Sequence, residues 1–462
     1  MKRCVVAIPV LLFAGCAASP GARLATSLAA YDDHPVQVAA LVVDLDSGAT
    51  LLARETRRLF RPASTMKLLT TAAVCRRDPD GTFETRLATD ALPVGQLTLE
   101  GGGDPLLATA DLRVLVDDLH AQGLTGTRGA LRIVDPLVRA DRFGVGWMWD
   151  DEPSTFQPAL SAAIVDGGCV RVQVEGDGTQ LAAALLPVAG ELELRVRGDD
   201  RPLRVTRGRY REPAVVTVTG HLDPGGPKTR EITVPEPARF SGHVLADACR
   251  RAGIALERDE VAVVETAGDA TPTRAAEAVR RRSVAEVVVH TNKVSDNLGA
   301  ELLLRHLGAF RQPDPVALGA DSERAGIAVV ATDLAALGFD AGSFRAVDGS
   351  GVSHYDLLSA DLLVGLLVDM HRRGGSAYEL FRRSLPIAGV DGTLATRMRD
   401  TAASERVFAK TGTVSGVSNL AGYIDTRSGR RLAFAILCQN FVGSARPWRE
   451  LQDQICADLA AY

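Results

Sequence analysis

The stretch that decides the fold reads Pro62-Ala63-Ser64-Thr65-Met66-Lys67. Because proline is well placed just before a helix, the stretch predicts a helix that opens at Ser64 and continues to residue 73. Residues three positions apart on a helix lie side by side on one face. A serine hydroxyl is a weak nucleophile until a base takes its proton. The spacing therefore makes Lys67 a candidate base for a nucleophilic Ser64.

Lysine is scarce in this chain: five of the 52 basic residues are lysines and 47 are arginines. Arginine cannot deprotonate in a protein, whereas a buried lysine can. Lys67, Lys293 and Lys410 stand in or beside short motifs that also contain serine or threonine. Positions that keep lysine against this bias are candidates for chemistry; the alternative is that the lysines fell there by chance.

The second motif is Ser295-Asp296-Asn297, 231 positions after Ser64. Ser295 can relay a proton between Lys67 and a leaving amine, and Asn297 can hydrogen-bond both Lys67 and a substrate amide. The alternative is a helix N-cap, because Ser, Asp and Asn favour the residue before a helix and apolar periodicity begins at residue 297.

The third motif is Lys410-Thr411-Gly412-Thr413. Lys410 is a second cation that, together with burial, would lower the pKa of the base. Lys410, Thr411 and Thr413 can bind a carboxylate, and Gly412 on a strand edge lets a ligand approach the backbone. The backbone N–H groups of Ser64 and Thr413 are candidate donors for an oxyanion hole. A plain turn is the alternative for this motif.

In this order, the SxxK, SDN and KTG motifs form a signature of class A β-lactamases and penicillin-binding proteins. The wider sequence resembles the D-Ala-D-Ala carboxypeptidase family of penicillin-binding proteins, the class C low-molecular-mass type or peptidase family S13. Asp356 departs from the asparagine that this family often carries there. Beyond the three motifs, the resemblance rests on Gly101-Gly102-Gly103-Asp104-Pro105, Asp348-Gly349-Ser350-Gly351, Leu385-Pro386-Ile387-Ala388-Gly389 and Asp391-Gly392-Thr393-Leu394.

The resemblance implies an α+β fold: a β-lactamase/transpeptidase-like domain with an antiparallel sheet flanked by helices, interrupted by two inserted smaller domains, one of them β-rich. We expect the catalytic domain at residues 30–90 and 280–462, inserted domain II at 91–167 and 255–279, and β-rich domain III at 168–254. Strand patterns at 37–54 and 420–437 independently predict one antiparallel sheet built from both ends of the chain. Helical periodicity predicts helices at 111–122, 274–288, 297–307 and 448–459.

The resemblance further implies a serine-type DD-peptidase that removes the terminal D-Ala from peptidoglycan stem peptides through an acyl-enzyme, with DD-endopeptidase activity as an additional outcome. β-Lactam antibiotics would acylate the same serine. A β-lactamase or esterase of the same fold is one alternative, and the long insertion argues against it. A catalytically silent envelope protein that binds cell-wall peptide is another, and the intact motifs argue against it. The implied roles are Ser64 as nucleophile, Lys67 as base, Ser295 and Asn297 as relay, and Lys410, Thr411 and Thr413 as carboxylate-binding residues.

The first sixteen residues predict an export signal. Lys2 and Arg3 precede an apolar run at 5–13, and Ala14-Gly15-Cys16 follows. This order of a charged, an apolar and a small-residue region is typical of a secretory signal peptide. Cys16 after Ala-Gly resembles a bacterial lipoprotein box, which implies cleavage before Cys16, a lipid on its sulfur and a location in the cell envelope or periplasm. Ordinary secretion with an incidental Cys16 is the alternative.

Bulk composition excludes several other classes. A chain of 462 residues suggests two to four domains. The net charge of −5, without a long basic run, gives no reason to expect a nucleic-acid partner. The later cysteines are dispersed and never in CxxC spacing, and the eight histidines are scattered. We therefore expect neither a metal site nor a cofactor.

Overall fold

The computed structural model describes residues 24, 28–31, 35–187, 189–209, 212–266, 274–310, 319 and 321–462. The predicted leader and Cys16 lie outside the described residues. None of the described helices combines the length and apolar composition needed to cross a bilayer. The α-helices are Lys67–Arg77, Thr109–Ala121, Pro237–Arg251, Val284–His290, Asn297–Phe310, Ser322–Ala336, Ala360–Arg373, Gly375–Ser384 and Arg446–Ala460.

The main sheet is antiparallel and is built from both ends of the chain, which confirms the prediction from the strand patterns. The N-terminal strand Gln37–Asp44 is an inner strand of this sheet and pairs with the central strand Arg431–Gln439 along its whole length. In spatial order the strands are Val407–Val414, Val417–Asp425, Arg431–Gln439, Gln37–Asp44 and Thr50–Arg54.

Helices cover both faces of the main sheet. Alternate residues of a strand point to opposite faces, so Ala39 and Leu41 pack against the helix Lys67–Arg77 and its neighbours. Val38 and Val42 pack on the other face, in the cluster that contains residues of the C-terminal helix Arg446–Ala460. The three inner strands are buried on both sides, and they support the motif-bearing edge strand beside them.

A second sheet lies in the inserted region and corrects one helix prediction. Its strands, in spatial order, are Val261–Val264, Leu131–Val134, Leu97–Glu100, Thr82–Thr89 and Ala276–Ser283. The predicted helix 274–288 is wrong over its first half, because residues 276–283 form the edge strand and only Val284–His290 is helical. Alanine and arginine favour helix locally, but pairing with Thr82–Thr89 along eight residues overrides that preference.

The β-rich insert forms two three-stranded sheets. One contains Glu193–Pro202, Val215–His221 and Arg204–Arg207, and the other contains Lys228–Thr233, Cys169–Gly176 and Leu181–Leu186. The sequence analysis missed the helix Pro237–Arg251, which follows these strands. Phe240, Val244 and Ala248 are spaced four apart, and they are buried in the core that the helix shares with the second sheet.

The division into three domains stays a prediction, and the structure suggests different boundaries for it. Thr82–Thr89 and Ala276–Ser283 pair in the second sheet, so its edges lie near residues 81 and 284 rather than 90 and 280. The five cysteines among the described residues (Cys75, Cys169, Cys249, Cys438 and Cys456) carry unpaired thiols.

Candidate active site

Ser64 lies in a tight turn that leads into a helix. The turn Ala63–Met66 is 3₁₀-helical, and the α-helix begins at Lys67. The Thr65 hydroxyl donates to the Pro62 carbonyl over 2.7 Å and holds the turn closed. Ala63 has a φ of 45°, a left-handed conformation that costs free energy in a non-glycine residue. The structure thus places a constrained backbone directly before the candidate nucleophile.

Lys67 is fully buried and faces Ser64. Its Nζ lies 3.0 Å from Ser64 Oγ, 2.5 Å from Asn297 Oδ1 and 2.8 Å from the Ser350 carbonyl oxygen. Burial lowers the pKa of the Lys67 ammonium to about 8, although the carboxylates of Asp348, Asp296 and Glu301 act in the opposite direction. A lysine with such a pKa can release its proton near neutral pH, as a general base must.

Lys410 is the second buried amine of the site. Its Nζ donates to Ser295 Oγ and to the Thr411 carbonyl, each over 2.9 Å. Burial lowers the pKa of Lys410 well below its ordinary value, and the charge on Lys67 lowers it further. The sequence analysis had expected burial and the charge of Lys410 together to lower the pKa of Lys67, and in the structure burial is the main cause for both lysines.

The SDN motif combines a helix cap with two residues that face the site. Asp296 caps the helix Asn297–Phe310, because its carboxylate accepts from the N–H groups of Leu298 and Gly299. Ser295 has a φ of 66° at the end of the π-helical turn Thr291–Ser295, which turns its hydroxyl towards Lys410. The two interpretations of this motif are therefore compatible, since Asp296 alone provides the cap.

The KTG motif lies on the edge strand Val407–Val414 of the main sheet. A Cβ at Gly412 would lie 2.6 Å from the Pro62 carbonyl oxygen and 3.0 Å from the Thr65 nitrogen. The backbone turn that carries Ser64 therefore packs closely against Gly412, and the approach of a ligand to this strand edge stays a prediction. Thr411 bonds the Thr393 hydroxyl over 2.9 Å, so of the three residues after Lys410 only Thr413 lines the cavity.

A cavity of about 690 Å³ opens in front of Ser64. Ser295, Asn297 and Thr413 line it, so the structure brings all three motifs to one site. Sequence reasoning missed the remaining lining residues. Met148, Asp150, Asp151 and Phe156 come from the inserted region and belong to no motif that the sequence analysis recognised. The others adjoin motifs: Gly351, Val352 and His354 end or follow the Asp348–Gly351 motif, and Val414 and Ser415 follow the KTG motif.

Lys293 does not line the cavity, and its contacts are structural. Its Nζ donates to the Leu385 carbonyl over 2.6 Å and contacts both carboxylate oxygens of Asp391, at 2.9 and 2.7 Å. These contacts bind the segment 385–391 beside the SDN motif. Of the three lysines selected by scarcity, two therefore belong to the site and the third supports it.

A buried acidic group lies behind Lys67. Asp348 is fully buried, and its carboxylate accepts from the backbone N–H groups of Gly351 and Ser353, each over 2.7 Å. Asp356 is also fully buried, and one of its oxygens accepts from the Val347 N–H. Burial first, and then the charge of Asp348, raise the pKa of Asp356 well above its ordinary value. A protonated Asp356 has the shape and donor capacity of asparagine.

Asp356→Asn is expected to stabilise the protein increasingly as the pH rises. An aspartate with a raised pKa keeps its proton in the folded state at a pH where the unfolded chain has released it. The wild type therefore loses stability as the pH rises from the unfolded pKa of 3.8 to the higher folded pKa. Asparagine has no proton to lose. We expect equal melting temperatures near pH 4 and a variant that melts about 2–4 °C higher at pH 8, measured by calorimetry.

The matched control is Asp117→Asn, because Asp117 is exposed on the helix Thr109–Ala121. Its melting temperature should follow the wild type at every pH. An Asp356→Asn variant whose melting temperature differs from the wild type by the same amount at pH 4 and pH 8 would contradict a protonated Asp356.

Within the described residues, no group of three or more His, Cys, Asp and Glu side chains could hold a metal ion.

Comparison with known proteins shows similarity along nearly the whole chain. The sequence profile of the "D-Ala-D-Ala carboxypeptidase 3 (S13) family" matches residues 22–461. A D-alanyl-D-alanine carboxypeptidase of Actinomadura sp. is 33% identical over 505 residues, which cover 99% of this chain and 90% of that relative. The D-alanyl-D-alanine carboxypeptidase DacB of Haemophilus influenzae is 24% identical, with 85% of this chain and 81% of that protein covered.

The fold is that of a penicillin-binding protein of known structure. The crystal structure of penicillin binding protein 4 (dacB) from Haemophilus influenzae matches with a TM-score of 0.79 at 20% identity, over 95% of this chain and 99% of that one. This match confirms the predicted fold class, an α+β transpeptidase-like fold that contains inserted segments.

Proposed function

From the premise that this chain belongs to the D-Ala-D-Ala carboxypeptidase 3 (S13) family, we propose that Ser64 is its acylated nucleophile and Lys67 its general base. The protein is a serine-type D-Ala-D-Ala carboxypeptidase and acts on the cell wall. The observation that carries the proposal for Ser64 is the 3.0 Å distance to the amine of Lys67, whose pKa burial lowers to about 8.

Acylation begins when Ser64 Oγ attacks the carbonyl carbon of the penultimate D-Ala. Lys67 Nζ takes the hydroxyl proton as the C–O bond forms. The negative charge that develops on the carbonyl oxygen faces the backbone N–H groups of Ser64 and Thr413, the proposed oxyanion hole. The amide C–N bond then breaks, the leaving amine receives a proton, and the terminal D-Ala departs. Water later attacks the ester and releases the shortened peptide.

Ser295 is the proposed relay for the proton that the leaving amine needs. Its hydroxyl lies 2.9 Å from Lys410 Nζ and lines the cavity. A hydroxyl can donate one proton while it accepts another, so Ser295 can pass a proton to the amine without a lasting charge. Asn297 fits the second part of the role, since its Oδ1 lies 2.5 Å from Lys67 Nζ and fixes the position of the base.

The substrate itself would help Lys67 to act as the base. A terminal carboxylate bound beside Lys410 and Thr413 favours the charged form of Lys410. A charged Lys410 in turn disfavours charge on Lys67, because two buried ammonium groups repel each other. Arrival of the correct substrate therefore moves Lys67 towards its neutral form when the hydroxyl proton has to be taken.

Intact-protein mass spectrometry with benzylpenicillin tests the proposal. We expect a mass increase of one penicillin per chain that persists for minutes or longer. The reason is that the bound penicillin keeps water from attacking the ester in a productive geometry. The same preparation should release D-Ala from an N-acylated peptide that ends in D-Ala-D-Ala. Heat-denatured protein, the control, should show neither. Rapid penicillin hydrolysis without a lasting adduct would instead support the β-lactamase alternative.

We also propose that the chain is exported and anchored by lipid at Cys16. Support comes from the charged, apolar and small-residue order of residues 1–16 and from the cell-wall substrate of the family. The mass of the mature chain from the native host reports this directly: it should begin at Cys16 and carry lipid, and Cys16→Ser should remove the lipid mass. A mature chain that begins at another residue would contradict the anchor.

A further inference from the structure

A segment of the inserted region crosses the front of the active site. We call residues 144–157 the strap. Met148, Asp150, Asp151 and Phe156 of the strap line the cavity opposite Ser64. One end of the strap contacts the loop 348–355, and the other end contacts Asn297. Both supply hydrogen-bond acceptors to Lys67.

The first end of the strap is held against the loop 348–355. The Trp147 indole Nε1 donates to Asp348 Oδ2 over 3.0 Å. Gly146 has a φ of +79°, and a Cβ there would lie 2.6 Å from the Tyr355 ring and 2.7 Å from Ser353 Oγ. The approach is thus too close for any side chain at residue 146.

Asp348 transmits this contact to the base. Its Oδ1 accepts from the Ser350 and Gly351 N–H groups over 3.2 and 2.7 Å, so the carboxylate determines how the loop backbone turns. The turn directs the Ser350 carbonyl oxygen at Lys67 Nζ, 2.8 Å away. A shift of Asp348 would therefore move one of the three acceptors of Lys67.

The other end of the strap holds the second acceptor. Asn297 Nδ2 donates to the Phe156 carbonyl over 2.7 Å, and its Oδ1 lies 2.5 Å from Lys67 Nζ. An amide can turn over and exchange its oxygen and nitrogen. The Phe156 carbonyl accepts only from the NH₂ group, so it selects the orientation in which the oxygen faces Lys67.

We propose that the strap positions the catalytic base, with Trp147 as its positioning residue. Two of the three groups that hold Lys67 Nζ, the Ser350 carbonyl and Asn297 Oδ1, depend on strap contacts. The inference rests on the proposed role of Lys67. Catalytic geometry tolerates errors of roughly 0.5 Å, so a strap that loses its hold should slow the chemistry without removing any catalytic group.

Trp147→Phe is the direct test. Phenylalanine keeps an aromatic ring against the cluster of Leu137, Leu160 and Leu298. It removes the N–H group that donates a hydrogen bond to the Asp348 carboxylate. We expect the maximal rate constant of acylation by a fluorescent penicillin to fall about tenfold, the net effect of about one hydrogen bond to a charged group. Non-covalent affinity should stay within about twofold, because Trp147 does not line the cavity.

The pH profile separates positioning from general damage. Acceptors favour the charged form of Lys67, so a displaced Ser350 carbonyl lowers its pKa and moves the rising limb of the profile to lower pH. The charged groups that act on Lys67 (Asp348, Asp296, Glu301 and, reciprocally, Lys410) remain in the variant. A purely structural loss would reduce the active fraction and leave the midpoint unchanged.

Trp149→Phe is the matched control, because Trp149 is also in the strap but is 71% exposed and contacts neither Asp348 nor Asn297. It should acylate at the wild-type rate. Gly146→Ala, which removes the close approach, should reproduce the effect of Trp147→Phe.

The outcomes are distinguishable, provided that each variant's melting temperature and circular dichroism show it folded. A Trp147→Phe variant with the wild-type rate, or with a lower rate and an unmoved midpoint, overturns the positioning role. An unacylated wild type overturns the proposed function instead.

Discussion

Ser64→Ala is expected to abolish covalent labelling by penicillin and to lower the turnover of a D-Ala-D-Ala peptide by about 10⁶-fold. Losses of about this size follow when a nucleophile that acts together with its base is removed. Alanine removes the hydroxyl oxygen that we propose forms the ester. Ser295 lines the same cavity, but its hydroxyl contacts Lys410 and belongs to the relay. Labelling is read by mass spectrometry and turnover by the D-Ala released.

The substitution should leave the fold intact, because Ser64 Oγ contacts Lys67 at the edge of the cavity and fills no core volume. Ser376→Ala, on the exposed side of the helix Gly375–Ser384, is the matched control and should label like the wild type. A Ser64→Ala protein that still gains the mass of penicillin would assign the nucleophile to another residue.

Lys67→Arg is expected to slow acylation of Ser64 by about 10⁴-fold, although it keeps the positive charge. Loss of a general base costs roughly 10²–10⁴ in rate, and arginine cannot supply one because it does not deprotonate in proteins. The three acceptors around Lys67 Nζ are also arranged for one compact ammonium. A planar guanidinium would have to displace Ser64, Asn297 or the Ser350 carbonyl.

The pH dependence of acylation sharpens this prediction. In the wild type the rate should rise through a pH of about 8, where burial places the pKa of Lys67, because the neutral amine is the active form. In Lys67→Arg the residual rate should not show this rise.

Lys228→Arg is the control, since Lys228 is exposed on the strand Lys228–Thr233 far from the site in the β-rich insert. It should preserve both the rate and the profile. Wild-type acylation kinetics in Lys67→Arg would rule out lysine as the base.

Local patterns predicted the parts of the fold that depend on neighbours in the sequence. The strands Gln37–Asp44 and Thr50–Arg54 follow from the strand pattern at 37–54. The helix after Pro62 was also predicted, although it was expected to open at Ser64 and the α-helix begins at Lys67 after a 3₁₀ turn. The pairing of the two chain ends was also predictable, because strand patterns occur at both ends of the chain.

Other parts were not predictable, because distant partners decide them. Residues 276–283 are rich in alanine and arginine and read as helix, yet an available strand at Thr82–Thr89 makes them a sheet edge. The strap shows the same limit at the site. Nothing in its sequence indicates that Trp147 will meet Asp348, about two hundred positions later.

By itself, the sequence predicted which groups are placed to perform the chemistry. Ser64 and Lys67 lie one helical turn apart, and that spacing brings a hydroxyl and an amine together wherever the helix lies. Only the tertiary structure decided whether the amine can act as a base, since its pKa depends on complete burial and on the carboxylates of Asp348, Asp296 and Glu301. Acceptors at residues 297 and 350 hold the amine in position. Desolvation and hydrogen bonds between remote residues arise only once the chain has folded. They therefore leave no periodic pattern in the sequence.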